Sequence, residues 1–106
     1  MNLVILVPTY NEASTITSLI ERIENVRADL KAVCGGEVRL LVIDDNSPDG
    51  TSKMVKGLAK SWIDVLDRQE KAGLGPAYIA GFTKCLSEGF DLLVEMDADL
   101  SHQPEQ

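Results

Sequence analysis

The chain has only two cysteines, one histidine and no apolar run longer than a strand. Cys34 and Cys85 lack Cys-x-x-Cys or metal-ligand spacing and no signal peptide precedes them. A disulfide scaffold and a zinc centre are therefore excluded, and reduced, inert thiols in a cytoplasmic setting are expected. His102, the lone histidine, is expected to be a loop residue rather than a ligand. A membrane-crossing helix needs about 20 consecutive apolar residues, and no stretch here approaches that, so no span is expected. Positive charge is also scarce, at 10 Lys and Arg against 17 Asp and Glu, a net charge of -7. That balance excludes a nucleic-acid binder working by charge. Beyond Lys84 the chain carries Glu88, Asp91, Glu95, Asp97, Asp99 and Glu105 without one Lys or Arg, so an anionic ligand at this end needs a cation to offset repulsion.

What is present is an ordinary globular composition, 44% hydrophobic and 25% charged over 106 residues, enough for one domain or part of one. Leu3 to Val7 is a continuous apolar run closed by Pro8, the pattern of a strand buried on both faces. Ile16, Leu19, Ile20, Ile23, Val26, Leu30 and Val33 then recur at helical steps, with Asn11 as the expected N-cap and Gly35-Gly36 as the stop. A second strand is predicted over Val38 to Ile43, and a second helix opens at Asp49-Gly50-Thr51 and runs through Met54, Val55, Leu58 and Ala59. A third strand near Ile63 to Leu66, a third helix from about Gly75 to Ser87 and a fourth strand from Asp91 to Met96 complete the series. Trp62 is expected to pack in the core, as are Tyr78 and Phe82, four apart on one helix. Strands alternating with helices predict an α/β fold of right-handed βαβ units, a βαβαβαβ order with a mainly parallel sheet of about four strands. Residues 101–106 offer nothing to cover the far edge of that sheet, so a truncated domain, or half of one, is expected.

Ligands of such sheets lie at the carboxyl ends of the strands, and the polar motifs fall there. After the fourth strand comes Met96-Asp97-Ala98-Asp99. Carboxylates one residue apart in extended backbone point to the same side; their repulsion and their oxygen-only chemistry suit a bridging Mg²⁺ or Mn²⁺ that also meets a diphosphate. After the first strand, Tyr10 offers a face for a nucleobase and Glu12 a carboxylate for base N–H groups. After the second, one of Asp44 and Asp45 can enter the crevice while the other ties down loop amides, and Ser47-Pro48-Asp49-Gly50 has turn chemistry. After the third, Gly73 and Gly75 permit a tight loop and Lys71 is a cation able to face phosphate.

Val7-Pro8-Thr9-Tyr10-Asn11-Glu12, Ile43 through Thr51, Lys71 through Tyr78 and Met96 through Glu105 together resemble the N-terminal half of the inverting glycosyltransferases of GT-A fold, in particular the dolichyl-phosphate and polyprenyl-phosphate mannosyltransferases. The resemblance implies a nucleoside held by Pro8, Tyr10 and Glu12 with Ile43 and Asp45. It places Asp97, Ala98 and Asp99 at the ribose and diphosphate, Asp97 and Asp99 on the metal, and Ser101 where some relatives have a Gln ligand; Lys71 faces phosphate. It implies that a polyprenyl-phosphate oxygen displaces GDP from GDP-mannose with inversion, at the cytoplasmic face of a membrane. Members of the family have a second half carrying the acceptor site, so the present chain is expected to bind nucleotide without turnover.

Two other readings remain open. One keeps the fold and changes the donor to a UDP-sugar or the acceptor to another molecule. The other is a non-catalytic receiver-type signalling module, in which Asp44 or Asp45 accepts a phosphoryl group.

Overall fold

The computed structural model describes residues 1–68 and 74–96, the side chains of residues 74–78 excepted. The elements are β1 (Leu3–Thr9), α1 (Ala13–Cys34), β2 (Val38–Asp44), α2 (Thr51–Gly57), β3 (Ile63–Asp67), α3 (Leu74–Ser87) and β4 (Leu92–Glu95). The four strands form one parallel sheet in the order β3-β2-β1-β4. The predicted α/β class and strand number are those observed.

The two central strands are buried on both faces, which is why they read as continuous apolar runs. Leu3, Ile5, Val7, Leu40 and Val42 pack with Ile16, Leu19, Ile20 and Ile23 of α1 and Val55 of α2. On the opposite face Val4, Leu6, Leu41 and Ile43 pack with Cys85 and Phe82 of α3. Helices α1 and α2 thus cover one face and α3 the other. The close approach of α3 explains Gly81, where a Cβ would lie 2.6 Å from Ile43 Cδ1 and 2.7 Å from Leu6 Cδ2. Trp62 is buried as expected, under the Arg27 guanidinium at 4.9 Å from the ring centre.

Helix α1 stops as the glycine pair predicts: Gly35 is left-handed at φ 69°, and its N–H donates to the Lys31 carbonyl at 2.9 Å. Three details differ from the sequence reading. Val33 is 86% exposed. At 22 residues α1 is about 33 Å long, whereas a seven-residue strand spans about 23 Å, so the last turn overhangs the sheet. Asn11 is not the N-cap; Glu12 occupies that position, and Asn11 sits at φ 55° in the left-handed region. Helix α2 ends at Gly57, before Leu58 and Ala59, and the chain leaves through Ala59 at φ 52°.

The order of strands creates the site. The crossover through α1 carries the chain from β1 to one neighbour, and the crossover through α3 brings it back to β1's other side as β4. Winding reverses between β1 and β4, and the crevice outside their carboxyl ends is the switch point where ligands of open α/β sheets bind.

Candidate functional site

Three strand ends meet along this rim. Thr9 closes β1 opposite Asp44 of β2, and Asp44 lies opposite Asp67 of β3. The Asp45 N–H donates to the Thr9 carbonyl at 3.0 Å, and the Arg68 N–H to the Asp44 carbonyl at 2.8 Å. These bonds carry the ladder one residue beyond the strands and set Tyr10, Asp45 and Arg68 side by side. On the other flank the Met96 N–H donates to the Leu6 carbonyl at 2.9 Å, so β4 remains paired with β1 up to the residue preceding the Asp-x-Asp motif.

The two adjacent aspartates divide their work as the sequence anticipates. Asp44, fully buried, accepts from the Thr9 hydroxyl at 2.6 Å, the Ser47 hydroxyl at 2.6 Å and the Ser47 N–H at 2.9 Å. It is a tether. Asp45 is 5% exposed, and its Oδ1 stands 3.4 Å from Arg68 Nη1, yet neither atom has a hydrogen-bond partner. A buried carboxylate oxygen with an unmade bond is rare and costly. Here it lies at the expected binding rim with a guanidinium beside it, a donor and an acceptor both available to a flat polar ligand.

The loop after β1 is held from outside. Asn11 N–H donates to the Ser47 hydroxyl at 2.9 Å, Glu12 N–H to the Thr51 hydroxyl at 3.1 Å and Ala13 N–H to Asp49 Oδ2 at 3.1 Å. Asp49 also receives the Thr51 hydroxyl at 2.5 Å, and this bond, with those from Ala13 and Thr51 N–H, holds its carboxyl below the usual carboxylate range. The first amides of α1 are therefore occupied. A helix N-terminus is the usual pyrophosphate cradle of dinucleotide folds, and this one is closed to that use, so a diphosphate must find its positive partner elsewhere on the rim.

Beside this loop a cavity of about 330 Å³ opens at the ends of β2 and β3, lined by Asn46, Ser47, Ser52, Lys53, Lys56 and Arg68 among others. Lys56 pairs with Asp67, which also accepts from the Ser52 hydroxyl. These partners, Lys56 foremost, hold the Asp67 carboxyl below its ordinary range.

Of the residues singled out in the sequence, Pro8, Tyr10, Glu12 and Asp45 lie along one rim. Tyr10 is exposed and Glu12 half-buried, its Oε2 3.5 Å from the Thr15 hydroxyl. The Ile43 side chain is fully buried against α3, so it underlies the rim. Lys71, Gly73, Asp97, Ala98, Asp99, Ser101 and His102, and the side chain of Tyr78, lie outside the described residues. Among the described residues no group of three His, Cys, Asp or Glu is placed to hold a metal, and no helix is long and apolar enough to cross a membrane. Sequence reasoning missed Arg68 and the clamp made by Ser47, Asp49 and Thr51. A cation directly after the third strand was the available signal for the first. The Ser-x-Asp-x-Thr turn marked the second without revealing its partner.

The model of the family described as glycosyl transferase family 2 matches residues 4–106. The chain is 43% identical over 105 residues to the polyprenol monophosphomannose synthase of Mycolicibacterium smegmatis, covering 96% of this chain and 37% of that protein. It is 45% identical over 108 residues to the undecaprenyl-phosphate mannosyltransferase of Micrococcus luteus, covering 100% of this chain and 41% of that protein. The fold matches a mannosyltransferase from Pyrobaculum calidifontis, solved in complex with GDP-Man and Mn²⁺, with a TM-score of 0.69 and 25% identity, over 92% of this chain and 27% of that one. The chain thus spans about two fifths or less of these proteins.

Proposed function

The chain belongs to glycosyl transferase family 2, and from that membership we propose that it is the donor-binding part of an enzyme transferring mannose from GDP-mannose to a polyprenyl or dolichyl phosphate. The observation that carries the reading is the orphaned Asp45 Oδ1 beside Arg68 at the carboxyl ends of the strands. Guanine presents adjacent N1–H and N2–H donors to a carboxylate and a carbonyl oxygen to a guanidinium, so this pair is complementary to its edge. Tyr10 supplies a stacking face, Pro8 and Glu12 border the nucleoside, and Ile43 is the packed floor beneath Asp45.

The diphosphate is the harder part of the ligand to hold. The net charge of -7 and the occupied amides at the start of α1 leave a diphosphate in need of a cation. Asp97 and Asp99 offer the hard oxygen donors that Mg²⁺ or Mn²⁺ takes, with Ser101 next in line, Ala98 beside the ribose and Lys71 facing phosphate. When bound, that ion supplies charge neutralisation to the departing diphosphate. The acceptor phosphate is largely ionised near neutral pH, so its oxygen attacks the anomeric carbon directly, the carbon inverts and GDP leaves, with no strong general base demanded of the protein. The lipid acceptor places this reaction at a membrane surface, with the protein peripheral to it on the cytoplasmic side. The relatives' additional length is the expected source of the acceptor site, so the present chain binds nucleotide without turnover.

Calorimetric titration with GDP and with UDP, each with Mn²⁺, tests the proposal. GDP is expected to bind more tightly, and Asp45→Asn to weaken it about tenfold, the equivalent of one hydrogen bond. Equal or tighter binding of UDP would redirect the assignment to a UDP-sugar donor. The receiver reading loses its support because Asp44 is enclosed by three donors and Asp45 is buried beside Arg68, leaving neither open to a phosphodonor.

A further inference from the structure

We infer that Ser47, Asp49 and Thr51 are positioning residues for the nucleotide: through the main-chain N–H groups of Asn11, Glu12 and Ala13 they fix the Tyr10–Glu12 loop relative to Asp45, without touching the ligand. This rests on the donor-site reading above and extends it to residues to which that reading gives no role.

Three observations carry it. The first is where the bonds go. Helix α1 has no side-chain cap of its own; all three of its leading amide contacts run to the loop after β2. A self-capped helix would keep its start wherever the sheet happened to sit, whereas this one is registered against the opposite side of the binding crevice. The second is the continuity of the network. The Ser47 hydroxyl both receives the Asn11 N–H and donates to Asp44, which also receives the Thr9 hydroxyl. Asp44 directly precedes Asp45, so one set of bonds locks the base of β1, the base of β2 and the loop between Tyr10 and Glu12 into one body. The third is backbone conformation. Asn11 and Asn46 lie at φ 55° and 58°, a region unfavourable for residues other than glycine and tolerated best by Asn. Both flank the clamp, so without those hydrogen bonds each loop has a lower-energy conformation to relax into, and Tyr10 moves with it.

Energetically the clamp acts on binding by preorganisation. A loop already held in its bound conformation loses less freedom when the ligand arrives. Removing one clamp bond should therefore weaken nucleotide binding more than it loosens the fold, because the sheet and both cores are untouched.

Thr51 is the most informative position, since it is fully buried and valine preserves its volume while removing the hydroxyl. The experiment measures GDP affinity with Mn²⁺, amide exchange of residues 11–13 by NMR, and melting temperature for the parent chain, Thr51→Val, Thr51→Ser, Ser47→Ala and, as a control, Val55→Ala, which loosens α2 without entering the clamp. Thr51→Val and Ser47→Ala should each bind GDP about tenfold more weakly and exchange the Glu12 and Asn11 amides faster. Thr51→Ser should restore both. Val55→Ala should lower the melting temperature and leave GDP affinity within about twofold of the parent. Unchanged affinity and unchanged amide protection in both Thr51→Val and Ser47→Ala would overturn the inference, and so would an equal loss of affinity in Val55→Ala. A parent chain that binds no GDP would instead defeat the donor-site reading, while amide exchange would still report whether the clamp holds the loop.

Discussion

Replacing Asp44 by alanine should be far more damaging to the fold than changing its neighbour, although the two carboxylates are adjacent and equally conspicuous in the sequence. Asp44 receives three donors, the Thr9 and Ser47 hydroxyls and the Ser47 N–H, at 2.6, 2.6 and 2.9 Å. A hydrogen bond to a charged acceptor contributes about 1.5–3 kcal/mol, but three bonds to one group do not add. Breaking a buried charged network typically costs about 3–5 kcal/mol, and Thr9, itself buried, is left with an unpaired hydroxyl. Against a domain stability of about 5–15 kcal/mol, that is a large share, and at about 4–8 °C per kcal/mol the melting temperature should fall by roughly 12 °C or more. Asp45→Asn, by contrast, removes no hydrogen bond at Oδ1 and should stay within about 1 kcal/mol of the parent. Urea unfolding at neutral pH, followed by circular dichroism and by the fluorescence of the single, buried Trp62, measures both. An Asp44→Ala chain within about 1 kcal/mol of the parent, or an Asp45→Asn chain as unstable as Asp44→Ala, would refute the division of labour between them.

Gly81→Ala should destabilise by about 1–3 kcal/mol through overpacking, even though alanine favours a helix over glycine by about 1 kcal/mol, because the new methyl meets Ile43 and Leu6 at 2.6 and 2.7 Å; urea unfolding of this variant that matches the parent would show that the core yields there. Acid should weaken the fold in a defined direction. Asp49 is held low by the Thr51 hydroxyl, Asp67 by Lys56 and Ser52, Glu24 by Lys60 and Glu37 first by the Val38 N–H. Groups whose folded pKa is depressed contribute stability that is present above their unfolded values, about 3.9–4.3, and is lost as pH falls through the lower folded values. Melting temperatures recorded from neutrality downward should therefore hold until about pH 5 and drop below pH 4; a rise on acidification would contradict the assignment of these partners.

Much of the fold was legible because it depends on local pattern. The apolar runs of β1 and β2 announce strands buried on both faces, and the helical spacing from Ile16 to Ile23 announces the face that the sheet covers. Gly35 announces the end of α1, since few other residues enter the left-handed region cheaply. Val33 obeyed the same spacing and is nonetheless exposed, because periodicity records which side a residue is on and says nothing of whether the sheet extends that far.

The candidate site divides along the same line. Chemistry-bearing residue types at strand ends, Tyr10 and the paired aspartates above all, could be found by reading, since a parallel α/β order sends every such end to one rim. Which aspartate tethers and which is left with an open oxygen, that Arg68 stands beside Asp45, and that the start of α1 is capped by a loop 36 residues away were decided only by the tertiary structure. Linear order determines the elements and the chemical groups each carries. The pairing of those groups depends on the order of strands in the sheet, and that order emerges only when the two cores close on both faces of β1 and β2 and draw distant loops within hydrogen-bonding distance.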